Sequence, residues 1–221
     1  MTFEDFEQAA AKEALCIFGA LNPDPEGQAP DGAQTLLLFG PQGPGFWPHF
    51  SAQPEYLDGA PDPLDRWSKR VIGRLAQDSA GRAIFPSDGP PYPPFQAWAL
   101  ASGRAWVSPV TLLVHDTAGL MLSYRGAIAL PDRLPIPQHA LFGPAGGPCQ
   151  SCAEHACLSA CPVGALTSAG YDVATCHEYL DTPSGESCLS RGCALRRACP
   201  VSQSYGRVEE QSAFHMKAFH H

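Results

Sequence analysis

Charge is scarce in this sequence. Asp, Glu, Lys and Arg make up 16% of its 221 residues, below the ~25% typical of soluble globular domains. Positive charge is scarcer still, with 14 Lys and Arg against 22 Asp and Glu and a formal net charge of −8. A general nucleic-acid binder displaces cations from phosphates with Lys and Arg, so this balance argues against a nucleic-acid partner. No apolar run reaches the ~18 residues that a membrane-spanning helix needs, which argues against a membrane role. The opening Met1-Thr2-Phe3-Glu4-Asp5-Phe6 lacks the basic-then-apolar pattern of a secretory signal, so a cytoplasmic protein is expected. Internal repeats of the solenoid kind and low-complexity tracts are absent as well.

Loop formers and cysteine take the place of charge. Gly and Pro number 21 and 23, so much of the backbone is expected in turns and irregular segments. Nine cysteines are present, and in a reducing compartment a dense set of them points to metal binding before disulfides.

The pattern along the chain predicts mixed layers of helix and strand, an α+β fold. Thr2 is a plausible N-cap for an amphipathic helix over residues 2–18, with Phe3, Phe6, Ala10, Ala14 and Ile17 on one stripe and Gly19 as the stop. Cys16 would lie on that helix as a small buried hydrophobe. Thr35 to Phe39 reads as a buried strand. The glycines of residues 40–45 do not form a phosphate loop, because the prolines there remove backbone donors and no Gly-Lys-Ser/Thr follows. Asp62-Pro63 opens the clearest helix, with Leu64, Trp67, Val71 and Leu75 on one stripe. Its off-stripe Arg66, Lys69, Arg70 and Arg74 are either a solvated face or a surface for an acidic partner. Arg82 to Phe85 is expected as a strand, Phe95 to Ala101 as a helix, and residues 110–115 with 120–130 as a hairpin. Five prolines and three glycines between Pro131 and Pro148 mark a linker and place a domain boundary near residue 145, giving domains 1–145 and 146–221.

Eight of the nine cysteines follow that linker in two blocks. The first is Cys149-x2-Cys152-x4-Cys157-x3-Cys161-Pro162, and the second is Cys176-x11-Cys188-x4-Cys193-x5-Cys199-Pro200. A cubane cluster needs four converging thiolates, and each block supplies four. In bacterial two-cluster ferredoxins the Cys before Pro ligates the cluster of the other block. Applied here, the rule gives one [4Fe-4S] cluster Cys149, Cys152, Cys157 and Cys199, and the other Cys161, Cys176, Cys188 and Cys193. The alternatives are a single cluster, disulfides, or a zinc site built on Cys149-x2-Cys152 with His155 or His177. Arg191, Arg196 and Arg197 flank Cys193 and Cys199, where positive charge would raise the potential of a nearby anionic cluster or dock an acidic partner. His220 and His221 read as disordered terminal residues.

The segment Cys149 to Ser202 resembles the ferredoxin module of epoxyqueuosine reductases. The resemblance rests on Cys161-Pro162-Val163-Gly164-Ala165-Leu166, on Thr175-Cys176-His177-Glu178-Tyr179-Leu180, and on Gly192-Cys193 to Cys199-Pro200. Upstream, Ser87-Asp88-Gly89-Pro90, Gly103-Arg104-Ala105-Trp106 and Leu112-Leu113-Val114-His115 resemble the cobalamin-binding domain of that family. Asp62-Pro63-Leu64-Asp65 and the stretch from His115 through Gly119 to Arg125-Gly126-Ala127-Ile128-Ala129-Leu130 are similar to cytosolic cobalamin-processing proteins. The resemblance implies a nitroreductase-like or cobalamin-processing-like first domain joined to a small bacterial ferredoxin-like iron-sulfur domain. It implies Asp88 as a proton donor, and Arg125 and His115 as residues near a cobalamin. The plainer readings are a turn former for Asp88, a strand residue for Arg125 and a structural histidine for His115.

The function expected from these readings is an iron-sulfur oxidoreductase whose clusters pass electrons to a site in the first domain, with a corrinoid as the candidate acceptor. Its electron donor would be a redox partner protein or a small molecule. The rival expectations are a non-catalytic electron carrier that docks a partner enzyme, and a structural zinc module.

Overall fold

The computed structural model describes residues 1–24, 28–141, 143 and 145–220. Thr2 caps α1 (Phe3–Lys12): its hydroxyl accepts the Asp5 amide at 3.2 Å, and the Asp5 carboxylate accepts the Thr2 amide at 2.7 Å. Two orphan amides of the helix start are thereby satisfied reciprocally. The helix is shorter than the periodicity predicts. Glu13 is its C-cap, Ala14 turns to φ 51°, and Leu15–Leu21 is a strand, β1. The run Leu15-Cys16-Ile17-Phe18 fits a helical stripe and a buried strand equally well, and long-range pairing decides between them. The partner is β2 (Thr35–Pro41), buried at every position and antiparallel to β1, with Leu15 opposite Pro41 and Leu21 opposite Leu36. Cys16 therefore lies on β1, and not on a helix.

Two short helices follow, α2 (Phe46–Ser51) and α3 (Pro54–Leu57), and then the long α4 (Pro63–Asp78). Asp62 precedes α4 in a left-handed conformation and makes no side-chain cap bond, so Pro63, whose missing N–H costs nothing in the first turn, marks the start instead. The predicted stripe of Leu64, Trp67, Val71 and Leu75 is buried. Trp67 meets Phe46 and Phe50 edge-on, with centroids 5.4 and 5.7 Å away, the geometry that ring quadrupoles favour. The basic row is occupied internally: Arg66 pairs with Asp58, Arg70 with Glu55 and Arg74 with Glu13. These arginines tie α4 to its own surroundings.

β3 (Arg82–Ile84) and α5 (Phe95–Ala101) fall where the sequence puts them. The expected hairpin of residues 110–115 with 120–130 does not form. Instead β4 (Ala105–Val107) pairs with β5 (Leu113–His115), and β6 (Gly126–Leu130) enters the main sheet. The cause is a tight closure in which His115 and Gly119 exchange amide bonds of 3.0 and 2.9 Å, ending the pairing after one bridge. The main sheet has the order β1-β2-β6-β3 and is antiparallel throughout. Because β2 and β6 are buried at every position, both faces of the sheet centre are covered. A short helix, α6 (Gln138–Leu141), interrupts the proline-rich stretch after β6.

Helix makes up 43% and strand 15% of the molecule, which is an α+β protein. Its residues divide into two compact units. The first comprises Met1–Ala105 and Ser123–Gly143, and the second comprises Trp106–Leu122 and the stretch that follows Gly143. Residues 106–122, which the sequence reading assigns to the first domain, pack in the second unit. That unit also holds β7 (Leu166–Thr167), β8 (Gly170–Tyr171), α7 (Val173–Leu180), α8 (Glu186–Arg191), α9 (Ala194–Ala198), α10 (Pro200–Tyr205) and α11 (Glu209–Phe219). Among the described residues no helix is long and apolar enough to cross a membrane.

Candidate metal centres

Short elements carry the eight clustered cysteines. Cys157 sits in a single 3-10 turn, Cys176 on α7 and Cys188 on α8. Cys193 immediately precedes α9, and Cys199 lies between α9 and Pro200 at the start of α10. Gly192 lets the chain turn between α8 and Cys193. Its φ is 88°, and a Cβ there would stand 2.7 Å from the Ser212 side chain on α11, so only glycine fits without strain. All nine cysteines are free thiols, which removes the disulfide alternative from this structure.

The thiols sense one another in two sets. Burial pushes the Cys149 thiol up, and the neighbouring thiols of Cys157, Cys199 and Cys152 push it further. Cys157 is raised likewise by burial and then by Cys199 and Cys152. On the other side burial raises Cys176, with Cys193, Cys161 and Cys188 adding to the effect. The two Cys-Pro residues change sides: Cys161 of the first block acts with the second set, and Cys199 of the second block acts with the first. This crossed grouping has the same membership as the ferredoxin rule assigns.

Among the described residues no group of three or more His, Cys, Asp or Glu is placed to hold a metal ion. A zinc ion holds its sulfurs at ~2.3 Å, whereas a cubane presents its irons on the corners of a larger core and spaces the thiolates more widely. Four soft sulfur donors per set suit such a core. The Ala165 amide points at Cys161 Sγ from 3.3 Å. Donors of this kind stabilise thiolate in a partly dry site.

An apolar wall supplies the dryness. Val110, Val114, Leu120, Leu166 and Leu195 are buried in one cluster with Cys157 and Cys199, and Trp106, Leu112, Cys149, Cys161 and Cys193 pack against it. Segment 106–122 is locked in place by Ser202 on α10, whose hydroxyl accepts the Leu120 amide at 2.8 Å. Gly119 makes that approach possible, since a Cβ there would lie 2.4 Å from the Ser202 nitrogen. His115, fully buried, organises the same turn. Its Nδ1 accepts the amides of Thr117 and Ala118 at 3.1 and 3.2 Å. Asp116 Oδ1 also approaches the same nitrogen to 3.1 Å.

Asp88 and Arg125 belong to the first unit. Asp88 closes a turn by accepting the Phe85 amide at 2.8 Å, and its other oxygen faces Lys69 at 3.9 Å. Arg125 enters β6 with its amide bonded to the Phe39 carbonyl. Its guanidinium is mostly buried, with Asp65 at 3.8 Å and Nε without a hydrogen-bond partner. Burial pulls its pKa down while Asp65 works in the opposite direction. His177 Nδ1 lies 2.9 Å from His220 Nδ1, and His220 also contacts Asp181 at 3.0 Å. His220 is thus placed by side-chain contacts, unlike the disordered terminal residue expected, while His221 lies outside the described residues.

Sequence reasoning missed the wall of segment 106–122 and the Ser202 latch. The only signal for the wall was its run of Trp, Val and Leu, which reads equally well as strands of the first domain. No family model, curated protein or solved structure matches the chain.

Proposed function

We propose that the chain is an iron-sulfur protein that moves single electrons. Cys149, Cys152, Cys157 and Cys199 would hold one [4Fe-4S] cluster, and Cys161, Cys176, Cys188 and Cys193 would hold the other. The observation that supports this reading is the crossed grouping of the thiols, with Cys161 and Cys199 each acting in the set of the opposite block. When bound, the clusters supply one-electron oxidation and reduction at potentials set by their surroundings. The chain's own residues bind and shield: the thiolates anchor, the Ala165 amide donates to the Cys161 sulfur, and Val110, Val114, Leu120 and Leu195 exclude water.

On the oxidoreductase form of this proposal, electrons pass to a site in the cobalamin-processing-like first unit, where a corrinoid is the candidate acceptor. Arg125 supports it as a mostly buried cation with an unpartnered Nε, the kind of group that awaits a polar ligand. The carrier form, in which the first unit serves only to dock a partner enzyme in a cytoplasmic setting, is favoured by Asp88. Its carboxylate is occupied by the Phe85 amide and lies beside Lys69, leaving it no evident part as a proton donor. Titration with cob(II)alamin separates the two forms: a spectral change that is lost in Arg125→Ala supports the oxidoreductase, and no change leaves the carrier.

The cluster assignment has its own test in single ligand changes followed by electron paramagnetic resonance. Cys199→Ser is expected to abolish or alter one signal, and Cys161→Ser the other. If Cys199→Ser and Cys193→Ser disturb the same signal, the crossed assignment is wrong.

A further inference from the structure

We infer that an exposed strip of the second unit, formed by Val163, Tyr171, Asp172 and Val173, is the docking face for a basic one-electron carrier protein. The inference deepens the proposed electron-transfer function and rests on it. Cys161 opens a turn in which the Gly164 amide donates to its carbonyl at 3.2 Å, and residues 162–164 are exposed. The chain then enters β7, which pairs with β8 through Leu166 opposite Tyr171. The Asp172 amide donates to the Ala165 carbonyl at 2.8 Å, which extends that pairing and brings the turn alongside Asp172 and Val173.

Val163, Tyr171 and Val173 are 37%, 39% and 45% exposed. Single exposed apolar side chains are ordinary, but three on one short ribbon and its flanking turn make a patch of the kind that partners cover. Tyr171 is held on one side by Phe219 of α11, stacked with 6.2 Å between centroids and 20° between planes. Cys161 lies two residues before Val163, and Cys176 lies three residues after Val173. A partner seated on the strip would therefore approach the second set of thiols.

Charge selects the partner. No Lys or Arg occurs from residue 134 to residue 190, whereas Glu154, Asp172, Glu178, Asp181 and Glu186 do, and all five are exposed. Among the described residues Glu154, Asp172 and Glu178 have no ion-pair partner. The three arginines that the sequence offers as a dock for an acidic partner are engaged within the unit: Arg191 with Glu209, Arg196 with the Leu120 carbonyl and Arg197 with the Gly192 carbonyl. An acidic partner, or a second copy of this chain with its net charge of −8, would meet like charge on the strip. A carrier with Lys and Arg around its cofactor meets opposite charge, which steers the encounter and suppresses wrong partners. The step itself forms no bond and moves no proton: one electron passes between carrier and cluster, and one is oxidised as the other is reduced.

The probe is ferricytochrome c, a basic one-electron acceptor. Full-length protein, first shown to contain iron and sulfide, is reduced with dithionite, freed of excess reductant and mixed with the probe in a stopped-flow instrument. The rate is expected to fall several-fold as salt rises from about 20 to about 300 mM, because screening removes the attraction. Asp172→Ser keeps a capping hydroxyl for α7 and removes one charge, and Glu178→Lys reverses one. Each is expected to slow the reaction about three- to tenfold at low salt and to flatten its salt dependence, with the electron paramagnetic resonance signals unchanged. Val173→Ser should slow it at every salt concentration. Glu4→Lys on α1 alters the net charge as much as Glu178→Lys does, and should slow the reaction much less. Equal slowing by Glu4→Lys and Glu178→Lys assigns the attraction to net charge and overturns the docking face; a rate indifferent to salt, or to Asp172→Ser and Glu178→Lys together, overturns it as well. Should one variant lose its clusters, the other and the salt series carry the same comparison. Loaded protein with unchanged rates sinks this inference alone, whereas absence of iron and sulfide sinks the proposed function with it.

Discussion

Cys16 lies on β1 with its sulfur 3.8 and 3.5 Å from the Gly40 and Pro41 carbonyls. Burial pushes its thiol up to about 12, against a smaller opposing pull from Arg104. Thiolate is the reactive form, so Cys16 is expected to resist alkylation in the folded protein near neutral pH and to react only on unfolding. Mass spectrometry after iodoacetamide treatment checks this; rapid labelling of Cys16 in native protein would contradict the packing described for β1. The clustered cysteines behave differently, because their thiols are raised partly by one another, a repulsion that bound iron would relieve. Asp88 and His115 both organise turns in this fold, satisfying the amides of Phe85 and of Thr117 and Ala118, as the plainer sequence readings of a turn former and a structural histidine have it.

At the scale of elements, α4 is held by charges that the sequence displays and by partners that it does not. Hydrogen bonds from Arg66 hold the Asp58 carboxyl down to about 2, from an ordinary value of 3.8. A carboxyl depressed in the folded state stabilises fully above its unfolded pKa, and that stability is lost as the pH falls through the folded value. Asp58→Asn is therefore expected to lower the urea midpoint modestly at about pH 6 and to match the wild type near pH 2, between which the pair is titrated away. A difference that persists unchanged at low pH would assign Asp58 a role other than this pairing. The stripe of α4, the strand β2 and the helix α5 were legible because propensity, pattern and tertiary packing agree there. The end of α1 was not, since Leu15 to Phe18 suits either period and only the register against β2 excludes the helix. The expected hairpin over 110–130 failed for the opposite reason. Its apolar runs are real, but the His115–Gly119 closure sends them to different sheets.

On the scale of the whole molecule, the two units draw on different sources of stability. The first has a four-stranded sheet with fully buried β2 and β6, enough to hold a core by hydrophobic burial. The second relies on helices of 8, 6, 5 and 6 residues around its cysteines, lengths that are marginal without tertiary or metal support. On the proposed cluster assignment, an anaerobic chelator is expected to speed amide exchange in residues 106–122 and 145–220 while β2 and β6 stay protected. Uniform loss of protection, or none, would contradict this division. The cysteine spacing is the part of the proposed site that the sequence displays, because the count of eight and the two Cys-Pro endings are visible without any fold. What surrounds the cysteines was not legible, since the wall and Ser202 act through contacts far apart in sequence. The central claim, that the eight cysteines hold two cubane clusters, is tested most directly by assaying iron, acid-labile sulfide and zinc on anaerobically purified protein, with electron paramagnetic resonance after dithionite reduction. About eight irons and eight sulfides per chain, with interacting spins, is the predicted result; stoichiometric zinc without sulfide would contradict it.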